Sequence, residues 1–591
     1  MDQAVPAPRR APPMTRRGGV SRRCSDGAAT AGDVGRPSTC GNPQRRCLQQ
    51  RTTGTMVNAH LLTARQRPAH ASAPPRGVLA TVVGVVAMCC LPVQAQGGGA
   101  GKAIHSRLWG ASGELWRPQS RLPDFSMAGY RRGEEPFRMP SRQISVTDFG
   151  ATPDDHADDT AAFQKAIAAG AGAVVQVPPG RYVLSDLLRI SVSRLVLRGA
   201  GSHRTTLIFT KPGDELDPRP ARTDGRQPTT GWSWNGGLIS IGGPERQSDV
   251  GVGVAAEAAR GDRRLRLESS PFRVGDEVVL TLHDDGRKSL LEYLYRGQPG
   301  NISGLNNWRI RQVFRVRAVE GRAIQLDRPL RFDVRLQWRP TVARFVPTVT
   351  DVAVEGFCFE FPAEPYQGHF REKGYNPVEI TRTAAHCLLR DLLIRNADSG
   401  PYVSGTFCTL EGIRLQADPG RLSRRGYAGH HGISLYGHDC LCTGFSIQTR
   451  FIHDLTVQSA VGCVFSRGRA VDLCMDHHRW APYENLFTDI EAGGGARLFA
   501  SSGGGMRGGH TAGGATFWNI RTARPVEWPA RLGTEGLNLV GVDVADPPPA
   551  ARRLPEPTQL HGPWLESIPP GRLAPAELHR AMWTRAQRRG N

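Results

Sequence analysis

The 591-residue chain lacks most of the short motifs from which function is commonly read. No CxxC pair occurs among its twelve cysteines, and an odd seven of them lie beyond residue 95, so neither a zinc ribbon nor a full disulfide framework is encoded. No HExxH is present, and the glycine-rich stretch GGGARLFASSGGGMRGGHTAGG lacks the Lys-Ser/Thr ending of a phosphate-binding loop, so it reads as a loop over a groove. The longest apolar run, 78–93, is shorter than the roughly twenty residues of a membrane span. With Arg65, Arg67 and Arg76 before it and Val93, Gln94 and Ala95 at its end, it reads as a signal peptide over about 56–95, with Met56 the more natural start. The expected product is secreted or periplasmic, without stable membrane insertion once the signal is cleaved. Acidic residues are the minority, 54 against 75 basic, for a net charge of +21. Thirteen basic and three acidic residues up to Ala95 remove +10 of that and leave +11. A basic exported chain suits an acidic polymer as partner, although arginine-rich coding produces the same excess. The absence of a compact basic motif with interleaved aromatics excludes nucleic acid.

What is present is strand-rich and repetitive. Residues 146–201 open with VTDFGA, where Gly150 permits a positive-φ turn. Asp158 or Asp159 then caps the helix AAFQKAIAAG, whose Ala162, Phe163, Ala166 and Ile167 follow helical spacing. Short strands follow around the turn Pro178-Pro179-Gly180. Such a helix covers the open first coil of a solenoid, whose backbone edge would otherwise recruit other chains.

Farther on, a pattern recurs: inward residue, any, apolar, any, Gly/Asp/Asn, apolar, any, apolar. It is clear in VAVEGFCF, CLLRDLLI, CTLEGIRL and CLCTGFSI, and looser in RFIHDLTV, NLFTDIEA, ATFWNIRT and LNLVGVDV. Gly356, Asp391, Gly412, Gly444, Asp454, Asp489, Asn519 and Gly541 fill the same place, where a bend or left-handed backbone is tolerated. Cys387, Cys408 and Cys440 share one inward slot, as a buried stack of small apolar groups would. The expected fold is all-β, a right-handed parallel β-helix with an N-terminal capping helix and a small inserted β subdomain. The expected divisions are a leader at 1–95, an extension at 96–140, capping helix and first coils at 141–249, the insert at 250–347, the main β-helix at 348–546, and a C-terminal linker and helix at 547–591.

VTDFGA, DDTAAFQKAI and VPPGRYVL together resemble the N-terminal signature of the pectate lyase superfamily. The resemblance implies the β-helix and a polysaccharide substrate, but it spans lyases, hydrolases, epimerases and tailspikes and so selects no reaction. The Asn-Thr-Asp strand, Asp-Asp pair and Arg-x-Lys strand of polygalacturonases are not visible; GHHGISL alone is faintly similar to their His-Gly strand.

Titratable residues crowd into 429–519, which holds seven of the seventeen histidines. In AVDLCMD, Val471, Leu473 and Met475 share one face, leaving Asp472, Cys474 and Asp476 on the other and both aspartates looking outward. Four residues apart on a strand, those aspartates are about 13 Å apart, too far for an inverting pair at about 6.5–9.5 Å or a retaining pair at about 5–5.5 Å. His431, His453 and His477 are spaced by 22 and 24 residues, near one solenoid turn, and are expected to form a column.

A β-elimination reading follows, with His477 or His478 as base, Asp476 orienting an imidazole, Tyr483 protonating the leaving oxygen, and arginines among Arg467, Arg479 and Arg497 clamping a uronate carboxylate. His431, His453, Asp472 and Trp518 complete the expected substrate contacts. A polygalacturonase-like hydrolase and a non-catalytic glycan binder are the alternatives. A His-His pair closing a strand also serves as a hydrogen-bonded turn, and Asp454 and Asp489, at bend positions, are expected to be structural. Asp476, His453 and His477 offer metal donors, but no metalloprotease-like spacing accompanies them. No cofactor is called for, calcium being the one ion left open.

Overall fold

The computed structural model describes residues 102–590 apart from 246–249 and 534, so the signal-peptide reading lies outside the described residues. Among the described residues, no helix is long and apolar enough to cross a membrane. The chain winds as stacked coils. One face is a long parallel sheet that starts at Arg142–Ser145 and Ala173–Val177 and ends at Asn538–Val542 and Trp564–Glu566. A second, seven-stranded parallel sheet runs from Leu188–Ile190 through Gly429–Leu435 and Phe451–Val457 to Met475–His477.

The helix Thr160–Ala168 lies at the first coil and buries Ala162, Phe163, Ala166 and Ile167. Its first turn is held by Asp158, which accepts from the Thr160 amide at 3.0 Å, whereas Asp159 turns away to the Thr152 amide. An antiparallel six-stranded sheet between Val252 and Arg344 interrupts the coils without breaking the ladder, because Ala353 pairs directly with Val196. This insert is locked to the coils by buried charge. Asp439 receives Arg328 at 2.6 and 2.9 Å and Arg331 at 2.8 Å, while Glu484 receives Arg331 at 3.0 Å and also Arg260.

Inside the coils, like residues stack on like. Phe465, Phe487 and Phe517 lie nearly parallel, with centroids 5.3 and 5.1 Å apart. Cys387, Cys408 and Cys440 are buried and free, and Cys463 continues their stack, its thiol meeting the Gly437 carbonyl as that of Cys440 meets the Gly405 carbonyl.

The bend ladder of the long sheet differs from expectation at one rung. Gly356, Asp391, Gly412, Gly444, Asp489, Asn519 and Gly541 have φ between 50 and 76°, but Asp454 does not belong to this series. Its place is taken by Arg467, with φ of 51°, because VFSRGRA is the strand that pairs with Leu486–Glu491. RFIHDLTV mimics the repeat but lies in the other sheet. There Asp454 accepts the amides of Phe451 and Cys474, both at 2.8 Å, and pairs with Arg497, stapling one coil to the next.

Candidate active site

The seven-stranded sheet collects the histidines. Pairing of Gly429–Leu435 with Phe451–Val457 sets His431 beside His453 and skips the pair Gly432 and Asp454. Gly432 is required there, since a Cβ would stand 2.2 Å from the Asp454 carbonyl oxygen. Beyond this irregularity Ile433 and Leu455 enter the core, whereas His431 bonds Thr456 Oγ1 at 3.0 Å and His453 faces Asp476. The next strand places Asp476 against Thr456.

Asp476 is the centre of the group. It is fully buried, its Oδ1 accepts the Ser502 amide at 2.9 Å, and its Oδ2 accepts from His478 Nδ1 at 2.5 Å, with His453 Nδ1 at 3.3 Å. Burial alone would raise its carboxyl, but His453, His478 and the Ser502 amide outweigh that and hold it far below the carboxylate range. Ser502 comes from the glycine-rich stretch, which therefore packs onto the site, and its hydroxyl lies 3.3 Å from His453 Nε2 and 3.4 Å from His478 Nδ1. His478 keeps 14 % of its side chain exposed, and its Nε2 makes no hydrogen bond among the described residues.

Two further histidines extend the cluster. His369 Nε2 is 2.8 Å from His430 Nε2, and His430 Nδ1 is 3.5 Å from Glu372. Glu372 is buried, accepts the hydroxyls of Ser233 at 2.6 Å and Tyr366 at 2.5 Å, and burial pushes its carboxyl up to about 7. The loop that carries His369 is pinned by Asp398, which accepts the amides of Lys373, Gly374 and Tyr375. Burial, then repulsion among the rings, drives His430 and His431 well below the ordinary imidazole value; burial takes His369 and His453 to about 4.

Several residues chosen from the sequence lie elsewhere. His477 does not extend the column, because pairing sets it against Val457; its ring is in the core, 5.4 Å from Phe487 and 5.6 Å from Phe517. Asp476 does not look out to solvent, since Ser502 and two imidazoles cover it. Asp472 sits at a coil corner, bonded to Arg450 at 2.9 Å and the Ala496 amide at 3.0 Å. Tyr483 is buried where coil meets insert, 3.3 Å from the Arg331 carbonyl, and burial pushes its hydroxyl pKa up.

The arginines are similarly committed. Arg497 bonds the carbonyls of Asp472 and Ile452 besides Asp454. Arg479 holds the Gly508 carbonyl and lies 3.3 Å from His510. Arg467 lines an outer groove of the long sheet, with Arg414, Arg469 and Arg521. Trp518 is fully buried under the C-terminal segment, its Nε1 donating to the Pro575 carbonyl at 2.7 Å, and Phe517 takes the inward slot as expected. His369 carried no sequence signal, being a lone histidine in a loop without periodicity. Its neighbour His430 was visible only as one member of a crowded segment.

The family model described as rhamnogalacturonase A/epimerase, pectate lyase-like, matches residues 143–218. No curated protein matches the chain in sequence. Solved structures that align include the tailspike of Pseudomonas phage phi297, at 13% identity over 68% of this chain and 78% of that one with a TM-score of 0.31. A hyperthermoactive exopolygalacturonase from Thermotoga maritima aligns at 11% identity over 69% and 80%, TM-score 0.33, and a Paenibacillus alginate lyase at 9% over 68% and 99%, TM-score 0.30. Identities and scores this low transfer no activity. The stacked parallel coils and the matched first coils make the fold that of the pectate-lyase-like right-handed parallel β-helices, and leave the activity open.

Proposed function

We propose that the protein is an exported polysaccharide lyase that cleaves an acidic polysaccharide by β-elimination, with His478 as the base. The observation that carries this reading is the 2.5 Å contact between His478 Nδ1 and the buried Asp476 carboxylate, in an imidazole that keeps part of its ring exposed and its Nε2 free of hydrogen bonds among the described residues. A carboxylate at Nδ1 fixes the tautomer, leaving the Nε2 lone pair to take a proton and stabilising the imidazolium that results. In the reaction, Nε2 removes the proton α to the uronate carboxylate and the freed electron pair forms the C4–C5 double bond. The C4–O bond breaks, and the departing oxygen takes the proton back from the His478 imidazolium. The matched family's pectate-lyase-like description supports a carbohydrate substrate.

The same geometry disfavours a hydrolase. The nearby carboxyls, Glu372 and Asp476, stand behind the imidazoles with their oxygens already bonded, so neither is offered to a glycosidic oxygen. The test is incubation with uronate, sulfated and neutral glycans. Ultraviolet-absorbing unsaturated ends are expected from a uronate polymer, and His478→Gln should abolish them without lowering the thermal midpoint. Reducing ends without that absorbance, or retention of the polymer without cleavage, would replace the lyase by a hydrolase or a binder.

A further inference from the structure

Carboxylate neutralisation is the component of the proposed elimination that none of the three arginines chosen from the sequence supplies, since Arg479 and Arg497 are bonded into the scaffold and Arg467 lies on the other sheet. Beside His478 there is instead a convergence of imidazoles in which each of three rings has one nitrogen without a protein hydrogen bond. His430 Nδ1, His431 Nε2 and His453 Nδ1 are all buried without a hydrogen-bond partner. Two Nε2 atoms, of His369 and His430, point at each other at 2.8 Å. One nitrogen from each of His369, His430 and His453 lies within 4.8 Å of the others. Leaving ring nitrogens buried and unpaired costs free energy, and an ion on the Nε2 side of His430 and His453 would fix their tautomers so that each Nδ1–H points to its neighbouring carboxylate.

We propose that His369, His430 and His453 bind one divalent transition-metal ion, and that this ion is the positive charge that receives the substrate carboxylate next to His478. The donor chemistry sets the class of ion. Imidazole suits zinc, cobalt, nickel or copper, whereas calcium takes oxygen ligands, so the calcium left open by the sequence does not fit a site of three rings. Carboxylates stand where second-shell partners of metal-bound histidines stand: Glu372 is 3.5 Å from His430 Nδ1, leaving Nε2 for the ion, and Asp476 is 3.3 Å from His453 Nδ1. A tetrahedral ion with bonds of about 2.0–2.1 Å holds its donors about 3.3 Å apart. The 2.8 Å pair therefore opens slightly, a change that His369 can make because it is exposed on a loop. Exposure of His369 also gives the ion its entry.

The ion's task rests on the lyase reading, but its binding does not. The experiment is titration of chelator-treated protein with Co2+, read by visible d–d absorption, alongside the thermal midpoint with and without Zn2+. Expected are tetrahedral-type bands that saturate at one Co2+ per chain, a raised midpoint with Zn2+, and roughly tenfold or greater weakening in His369→Ala, a substitution on an exposed loop that spares the core. His430→Gln should weaken binding as well; if that variant does not fold, His369→Ala decides. No bands, bands undiminished in His369→Ala, or displacement of Co2+ by Ca2+ would overturn the site. Co2+ binding without any unsaturated product sinks the lyase reading alone, and unsaturated product from protein that binds no Co2+ sinks the metal site alone.

Discussion

Asp472 and Asp476 look equivalent in sequence and are unlike in the structure, so substituting each by asparagine separates scaffold from chemistry. Asp476 is fully buried and bonds His478 Nδ1 at 2.5 Å and the Ser502 amide at 2.9 Å. In Asp476→Asn, the amide oxygen can still accept from Ser502, but an NH2 then faces His478 Nδ1. That nitrogen must become the acceptor, which moves the ring proton to Nε2 and removes the lone pair needed for proton abstraction. General-base catalysis contributes about 10²–10⁴ in rate, so kcat/KM should fall by about that factor, equivalent to roughly 3–5.5 kcal/mol of transition-state stabilisation. Asp472→Asn keeps an acceptor for the Ala496 amide and weakens its ion pairs to the half-exposed Arg450 and, at 3.7 Å, to Arg497, whose carbonyl and Asp454 contacts remain, so turnover should persist. The assay is the initial rate of unsaturated-end formation from a uronate polymer, with thermal midpoints as control. Equal loss in both variants, or full activity in Asp476→Asn, would refute the assignment.

Other outcomes follow from the packing. Phe487→Ala removes the middle ring of the stack between Phe465 and Phe517 and should cost about 3–5 kcal/mol, read from denaturant unfolding. Burial would raise the Asp439 carboxyl, but Arg328 and Arg331 hold it down at about 2. Because the folded value lies below the unfolded one near 3.9, that carboxylate's contribution, on the order of 2 kcal/mol, is present above pH ~4 and lost as pH falls toward ~2. Unfolding followed across that window should show it, and Asp439→Asn, which leaves two buried guanidiniums short of a partner, should cost about 3–5 kcal/mol at neutral pH. Arg467→Ala should leave turnover unchanged, since Arg467 lies on the other sheet; a lost activity would return that groove to the mechanism.

The coils were legible because each rung needs the same few residue types at a bend, and Gly356, Asp391, Gly412, Gly444, Asp489, Asn519 and Gly541 supplied them. The rung at Arg467 was illegible for the same reason: an arginine held at positive φ by its neighbours does not advertise a bend, while Asp454 in a look-alike strand does. The site was half legible. Crowding of histidines pointed to the strands that carry the candidate site, and Asp476 with His478, and His431 with His453, do come together. His477 misled because spacing near one coil fixes neither register nor face, and pairing set it against Val457 with its ring in the core. His369 and the Asp439 and Glu484 charge network depend on contacts between segments far apart in the chain, which no local pattern records.

The most direct test of the mechanism is a uronate polymer carrying deuterium on the carbon α to the carboxylate. Proton removal by His478 predicts that product forms with loss of that deuterium and more slowly than from the protonated polymer. Cleavage that retains the deuterium in the product would contradict it.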